Sequence, residues 1–184
     1  VLAGMVVSSL FTAGTSYIKL VADPTNQLPA ITYWLMGSLS GVRMTKVLYI
    51  FPVMLLGLVP LFLLRWKINL LTLGDEEAQA MGIHPVRLRF VIVICATLVT
   101  SASISVAGTI GWVGLVVPHL SRKLTGSNFK KLLPASMLAG AAFLLLVDDL
   151  SRNLLATEIP IGILTAFIGA PFFLWLITGR RHEE

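Results

Sequence analysis

The chain has 184 residues, of which 56% are hydrophobic and 12% charged. A soluble domain carries about 25% charged residues, so a surface facing mainly water is excluded and a polytopic membrane protein is expected. The net charge is +5, and where the basic residues sit is more informative than their sum. Cys95 is the only cysteine. It lies in an apolar run, which excludes an internal disulfide and reads as a buried thiol.

Val1 already lies in an apolar run with no basic segment before it, so a cleaved signal peptide is not expected and a piece of a longer subunit is. Stretches free of Asp, Glu, Lys and Arg cover 1–18, 47–64, 90–121, 132–147 and 159–179. Crossing about 30 Å of hydrocarbon takes about 20 residues, so four of these stretches are one span each. The remaining one, 90–121, is either a single helix about 48 Å long or two shorter helices. The cytoplasmic bias of Lys and Arg decides. Two helices collect ten basic residues on one side, Arg65, Lys67, Arg87, Arg89, Arg122, Lys123, Lys130, Lys131, Arg180 and Arg181, against Lys19, Arg43, Lys46 and Arg152 on the other. A single span leaves Arg65, Lys67, Arg87, Arg89 and Arg152 inside against nine outside. A hairpin is therefore expected, with its turn near Ala107–Gly108–Thr109.

In chain order the expected spans are 1–20, 47–65, 88–107, 110–124, 133–151 and 160–178, an all-α transmembrane bundle with both chain ends cytoplasmic. The segment between Val21 and Lys46 is external. It holds Pro24 and Pro29, and a short interfacial helix is expected around Tyr33–Met36 with Trp34 at the headgroups. The long cytoplasmic loop, 66–86, contains TLGDEEAQAMGIHP. Gly74–Asp75 reads as a helix N-cap, Glu76 and Glu77 complement the helix dipole, and Gly82 stops the helix. Ala78, Ala80 and Met81 offer it a small apolar face, and Pro85 opens the next helix. Two readings stand for this knob: an ordinary solvated loop, or a handle for a cytoplasmic partner.

Gly108, Gly111 and Gly114 recur every third residue and read as a smooth ridge for close helix packing rather than a nucleotide loop. Pro118 and His119 follow. A histidine in a charge-free run can bind metal or relay protons, or be structural; His84 and His182 lie in other segments, so no metal site is expected. Asp148, Asp149 and Arg152 sit at the outer end of a span, either as an internal ion pair at helical spacing or as an external docking contact. Gly169–Ala170–Pro171 suggests a kink in the last span, with Pro171 the hinge. No nucleophile–base pair, HExxH or Walker lysine motif is present, so no catalytic residue is expected.

Several blocks carry a resemblance: YWLMGSLSG (33–41), LGDEEAQAMGI (73–83), AGTIGWVGLVVPHLSR (107–122), LLPASMLAGAAFLLLVDDLSR (132–152) and EIPIGILTAFIGAPFFLWLI (158–177). Together they resemble the permease subunits of ATP-driven importers for iron chelates and vitamin B12. Such type II permeases have ten transmembrane helices, and this chain resembles helices five to ten, one permease domain over 1–184 without the first four. The resemblance implies a second permease copy, identical or paralogous, two cytoplasmic ATPase subunits and a periplasmic or lipid-anchored binding protein. It implies no cofactor in this chain, with ATP and Mg held by the ATPase, a lipid environment in a bacterial inner membrane, and no nucleic-acid partner. The helices matching 1–20 and 160–178 would line the dimer interface and the path. The block with Gly74, Asp75, Glu76, Ala78, Met81 and Gly82 would be the segment that docks on the ATPase, and Arg152 would meet acidic residues of the binding protein. The expected cargo is an iron–siderophore complex, with cobalamin, haem or an oxyanion such as molybdate as alternatives. Two rivals are an ion-coupled secondary transporter and an intramembrane hydrolase using His119. The first needs ionisable residues near the bilayer midplane, whereas the charges here sit at span ends; the second needs another ligand or acid near His119.

Overall fold

The computed structural model describes residues 2–154 and 158–179, and the described residues are all-helical. The helices are α1 (Leu2–Val21), α2 (Gln27–Leu35), α3 (Met44–Leu71), α4 (Asp75–Ala80), α5 (Pro85–Ala107), α6 (Val113–Thr125), α7 (Phe129–Asn153) and α8 (Ile161–Gly179). Val1 and the C-terminal Arg180 and Arg181 used in the charge comparison, like His182, lie outside the described residues.

Among the described residues α3, α5 and α7 are long and apolar enough to cross a membrane. Their 28, 23 and 25 residues correspond to lengths of about 42, 35 and 38 Å. α1 has 20 residues but carries Ser8, Thr12, Thr15 and Ser16. Thr12, Thr15 and Ser16 each donate a hydroxyl back to the carbonyl four residues earlier, at 2.9 Å, which satisfies these polar groups inside the helix. α6 has 13 residues, about 20 Å, too short to span alone.

Several boundaries differ from the sequence expectation. The short helix expected around Tyr33–Met36 is α2, which starts earlier, at Gln27, and ends at Leu35. α3 runs to Leu71, so Arg65, Trp66 and Lys67 belong to the helix and the loop expected over 66–86 narrows to the residues between α3 and α5. α7 starts four residues early, where the Asn128 side chain accepts a bond from the Lys130 amide at 3.0 Å and caps it. α6 starts three residues late because Trp112, at φ 68°, interrupts the backbone.

The charge-free run 90–121 does break into two helices, at the expected place. The two helices find their main partners elsewhere than in each other. α5 lies antiparallel along α3, and α6 lies along α7. The α3–α5 crossing is close because Gly57 faces α5, where a Cβ would come within 2.5 Å of Val99 Cγ2 and 2.8 Å of the Cys95 carbonyl. A missing side chain lets two membrane helices approach. Cys95 is buried in this crossing as a free thiol. At one end of the bundle, Asn69 Oδ1 near the end of α3 accepts from the Phe129 amide at the start of α7, 3.1 Å away. Arg65, Lys67, Arg89, Arg122, Lys130 and Lys131 therefore share that end with α4. Little of the apolar surface is covered within the chain: Leu2, Tyr49, Leu56 and Leu124 are all more than two-thirds exposed. Such a surface requires lipid or further protein against it.

Candidate functional site

Two regions gather the unusual geometry, one at each end of the bundle. At the basic end α3 stops at Leu71 and the chain passes through Gly74, at φ 131° and ψ 162°, a conformation that only glycine adopts readily. α4 follows, with its three acids in the first turn but no side-chain cap bond. Asp75 instead reaches across to α5, where the Arg89 guanidinium donates two bonds to its carboxylate, 2.6 and 2.8 Å long. Beyond α4 the Ile83 amide returns to the Ala78 carbonyl at 3.0 Å, and the Gly82 amide to Gln79 at 2.9 Å, with Gly82 at φ 78°.

Ala78 is fully buried, packed in a plug with Ile83 and Leu88 that Leu64, Leu70, Leu71 and Ile92 surround. This corrects the expectation that Ala78 offers a contact surface: it is the pin that seats α4 on α3 and α5. The exposed face of α4 and the turn after it is formed by Asp75, Glu76, Glu77, Gln79, Met81 and Gly82.

At the opposite end, backbone meets backbone. Gly108 closes α5 at φ 70° and ψ −166°, and a Cβ there would lie 2.0 Å from the Trp34 carbonyl oxygen. A Cβ on Gly162 would lie 2.1 Å from the Met36 carbonyl oxygen, and one on Gly37 would lie 2.5 Å from that of Thr109. The Ser38 amide donates to the Ala107 carbonyl at 2.9 Å and the Thr109 hydroxyl to the Leu35 carbonyl at 2.5 Å. The end of α2 is thus locked between the end of α5 and the start of α8. An apolar cavity of about 580 Å³ adjoins the junction, lined by Leu35, Met36, Thr109, Ile163, Ala166 and Phe167. A second, of about 620 Å³, opens beside Val42, Ile50, Met54, Val99 and Ile110.

The expected glycine ridge does not form. Of its members only Gly108 is in close contact; Gly111 and Gly114 meet nothing within 4 Å of a Cβ among the described residues. α6 begins after Gly111, so the three are not on one helix. On α8, besides Gly162, Gly169 is a close glycine, where Trp112 packs so tightly that a Cβ would be 2.4 Å from that of Trp112. The Trp112 ring also lies 6.1 Å from Phe173, tilted by 60°. α6 and α8 each run on through their proline, Pro118 and Pro171.

Arg152 is engaged within the chain. Its Nε donates to Asp148 Oδ2 at 3.0 Å and one terminal nitrogen to Oδ1 at 3.3 Å, with Glu158 at 3.9 Å. Asn153 holds Asp149 at 3.0 Å. His119 is half-buried, and its Nε2 has no hydrogen-bond partner among the described residues.

A sequence model described as the FecCD transport family matches residues 1–179. The chain belongs to the FecCD transport family. It is 45% identical to the "Probable iron chelatin transport system permease protein" of Helicobacter pylori, over 98% of this chain and 55% of that protein. It is 44% identical to the molybdate import system permease protein MolB of Haemophilus influenzae, over 94% of this chain and 51% of that one. With the Fe(3+)-citrate import system permease protein YfmE of Bacillus subtilis the identity is 41%, over 100% and 55%. Among solved structures, an ABC transporter of the metal-chelate type in an inward-facing conformation superimposes with a TM-score of 0.90. It is 43% identical and covers 97% of this chain and 58% of that one. The chain spans about half the length of the curated relatives it matches.

Within this FecCD chain the structure adds contacts that the sequence reading did not assign: Arg89, Ile83 and Leu88 beneath α4, Gly37 and Gly162 at the other end, and Gly169, read there as part of a kink, against Trp112. Arg89 is 14 positions from Asp75, a spacing with no helical or strand meaning across a loop. Gly37 and Gly162 are 125 positions apart by number and meet only through folding.

Proposed function

We propose that this chain forms the membrane-spanning, C-terminal part of an ATP-driven importer permease that carries an iron–siderophore complex, or a related metal chelate, inward by alternating access. The observation that supports it best is α4: a short, charged, exposed helix seated rigidly at the basic end of an apolar bundle. Gly74, Asp75, Glu76, Met81 and Gly82 form the face offered to an ATPase, and Ala78 seats it. ATP and Mg are bound by that partner, and no cofactor is assigned to this chain. Coupling requires the ATP-bound partner to hold one orientation of α4 more tightly than the other. The permease works as two copies, identical or paralogous, with two ATPase subunits, in a bacterial inner membrane with both ends of this segment cytoplasmic. The iron cargo rests on the iron chelatin and ferric citrate relatives; molybdate, cobalamin and haem are the competing cargoes.

The test is mass spectrometry of proteins that co-purify with the full-length subunit from detergent-solubilised membranes. An ATPase pair is expected, lost when Met81 is changed to Glu, and a co-purifying binding protein then identifies the cargo. Robust transport in vesicles without ATP would overturn the reading in favour of ion coupling.

A further inference from the structure

We propose that Arg89 is the positioning residue that makes α4 turn together with α5, an inference that rests on the coupling reading above. Two attachments of different character hold α4. The first is the apolar plug of Ala78 and Ile83 against Leu64, Leu70, Leu71, Leu88 and Ile92. A plug of this kind resists lifting, because it would expose apolar surface, but it has no directional preference and permits rotation about itself. The second is the paired bonds from Arg89 to both oxygens of Asp75, at 2.8 and 2.6 Å. Two parallel bonds between a planar guanidinium and a planar carboxylate fix orientation as well as distance.

A six-residue helix has too few internal bonds to keep its own shape. Its direction is therefore set by its attachments. Asp75 lies at the first residue of α4 and Arg89 in the second turn of α5. The clamp thus grips α4 at the end away from Gly82, and plug and clamp together define an orientation where either alone would not. Arg89 belongs to α5, the long antiparallel partner of α3, so a torque on α4 passes to a helix that crosses the bilayer. Without the clamp the same torque turns α4 about the Ala78 pin. A lysine cannot replace Arg89, since its ammonium is a point charge with no fork. Side chains on both sides are about half exposed, 54% for Arg89 and 47% for Asp75. The role assigned is therefore orientation, not stability of the fold.

The experiment uses the full-length permease assembled with its ATPase in liposomes, with spin labels at Gln79 on α4 and Val93 on α5, both exposed. In the unaltered protein the distance distribution between the labels is expected to stay narrow and unshifted on ATP binding. Arg89→Ala and Asp75→Asn should each broaden it and let it shift with ATP, and the double variant should be no worse than either, because one link is broken in all three. Arg89→Lys should fall near Arg89→Ala. Capture of the ATPase should persist in Arg89→Ala and Arg89→Lys. An unchanged distribution in Arg89→Ala, or additive effects in the double variant, would overturn the clamp while leaving the coupling reading intact. Failure of the unaltered permease to capture an ATPase would overturn the coupling reading itself, and the clamp's role with it.

Discussion

Substituting Gly108 tests whether the junction of α2, α5 and α8 is held by backbone contact. Gly108→Ala introduces a Cβ 2.0 Å from the Trp34 carbonyl oxygen and 3.1 Å from both the Trp34 carbonyl carbon and Gly37 Cα. All three are backbone atoms, so no side chain can swing away. An ordinary contact needs about 3.4 Å, which requires the end of α2 to retreat by more than about 1 Å. That retreat stretches the Ser38–Ala107 and Thr109–Leu35 bonds, each contributing about 1 kcal/mol net. The backbone at φ 70° and ψ −166° adds about 1–3 kcal/mol for any residue but glycine. The expected destabilisation is about 3–5 kcal/mol, a large share of the stability of a typical domain. Gly111→Ala is the control: a Cβ there meets nothing within 4 Å among the described residues, and the expected change is within about 0.5 kcal/mol. The assay is unfolding of the purified full-length permease in mixed detergent micelles, following helicity against denaturant. Equal midpoints for Gly108→Ala and Gly111→Ala would refute the argument that backbone contact locks the junction.

Ala78→Leu inserts three carbons into a fully buried site and should destabilise by about 1–3 kcal/mol while reducing ATPase capture, measured by co-purification; full capture at an unchanged unfolding midpoint would mean that α4 is not seated there. Arg152→Glu should abolish the Asp148 pair and weaken docking of the binding protein most at low salt, read by titration at two ionic strengths; docking that is unchanged at both leaves Arg152 as an internal ion-pair residue. The Thr25 hydroxyl and amide and the Asn26 side chain hold the Asp23 carboxylate below the usual range. Because its folded value is depressed, the contribution to the 23–26 turn is present above the ordinary Asp range and is lost as pH falls through the folded value. Protection of the Thr25 and Asn26 amides, measured against their intrinsic exchange rates, should persist into mildly acidic solution and fall only below that range; loss of protection at neutral pH would contradict it.

Much of the architecture was legible in the sequence, because in lipid the rules are strict. A backbone with no water partner must be helical, and long charge-free stretches announce themselves. The break near Gly108 and the short helix between Gly74 and Gly82 were readable for a local reason, since each is punctuated by glycine. Helix ends were less legible: Trp66 and Lys67 follow the end of a charge-free run and read as loop, yet α3 carries them and runs on to Leu71.

The roles of individual side chains divided along the same line. Composition and order alone determined an all-helical, membrane-embedded chain, a break in its longest apolar run, and an acidic helix at its basic end, since each depends on neighbours in the sequence. Tertiary structure alone decided that Ala78 is a pin and not a surface, that Arg89 holds Asp75, and that Gly37, Gly108 and Gly162 meet while Gly111 and Gly114 do not. Those facts depend on which residues are brought within a few ångströms across intervals of 14 to 125 positions. No periodicity encodes such intervals; only the packing of one helix against another does.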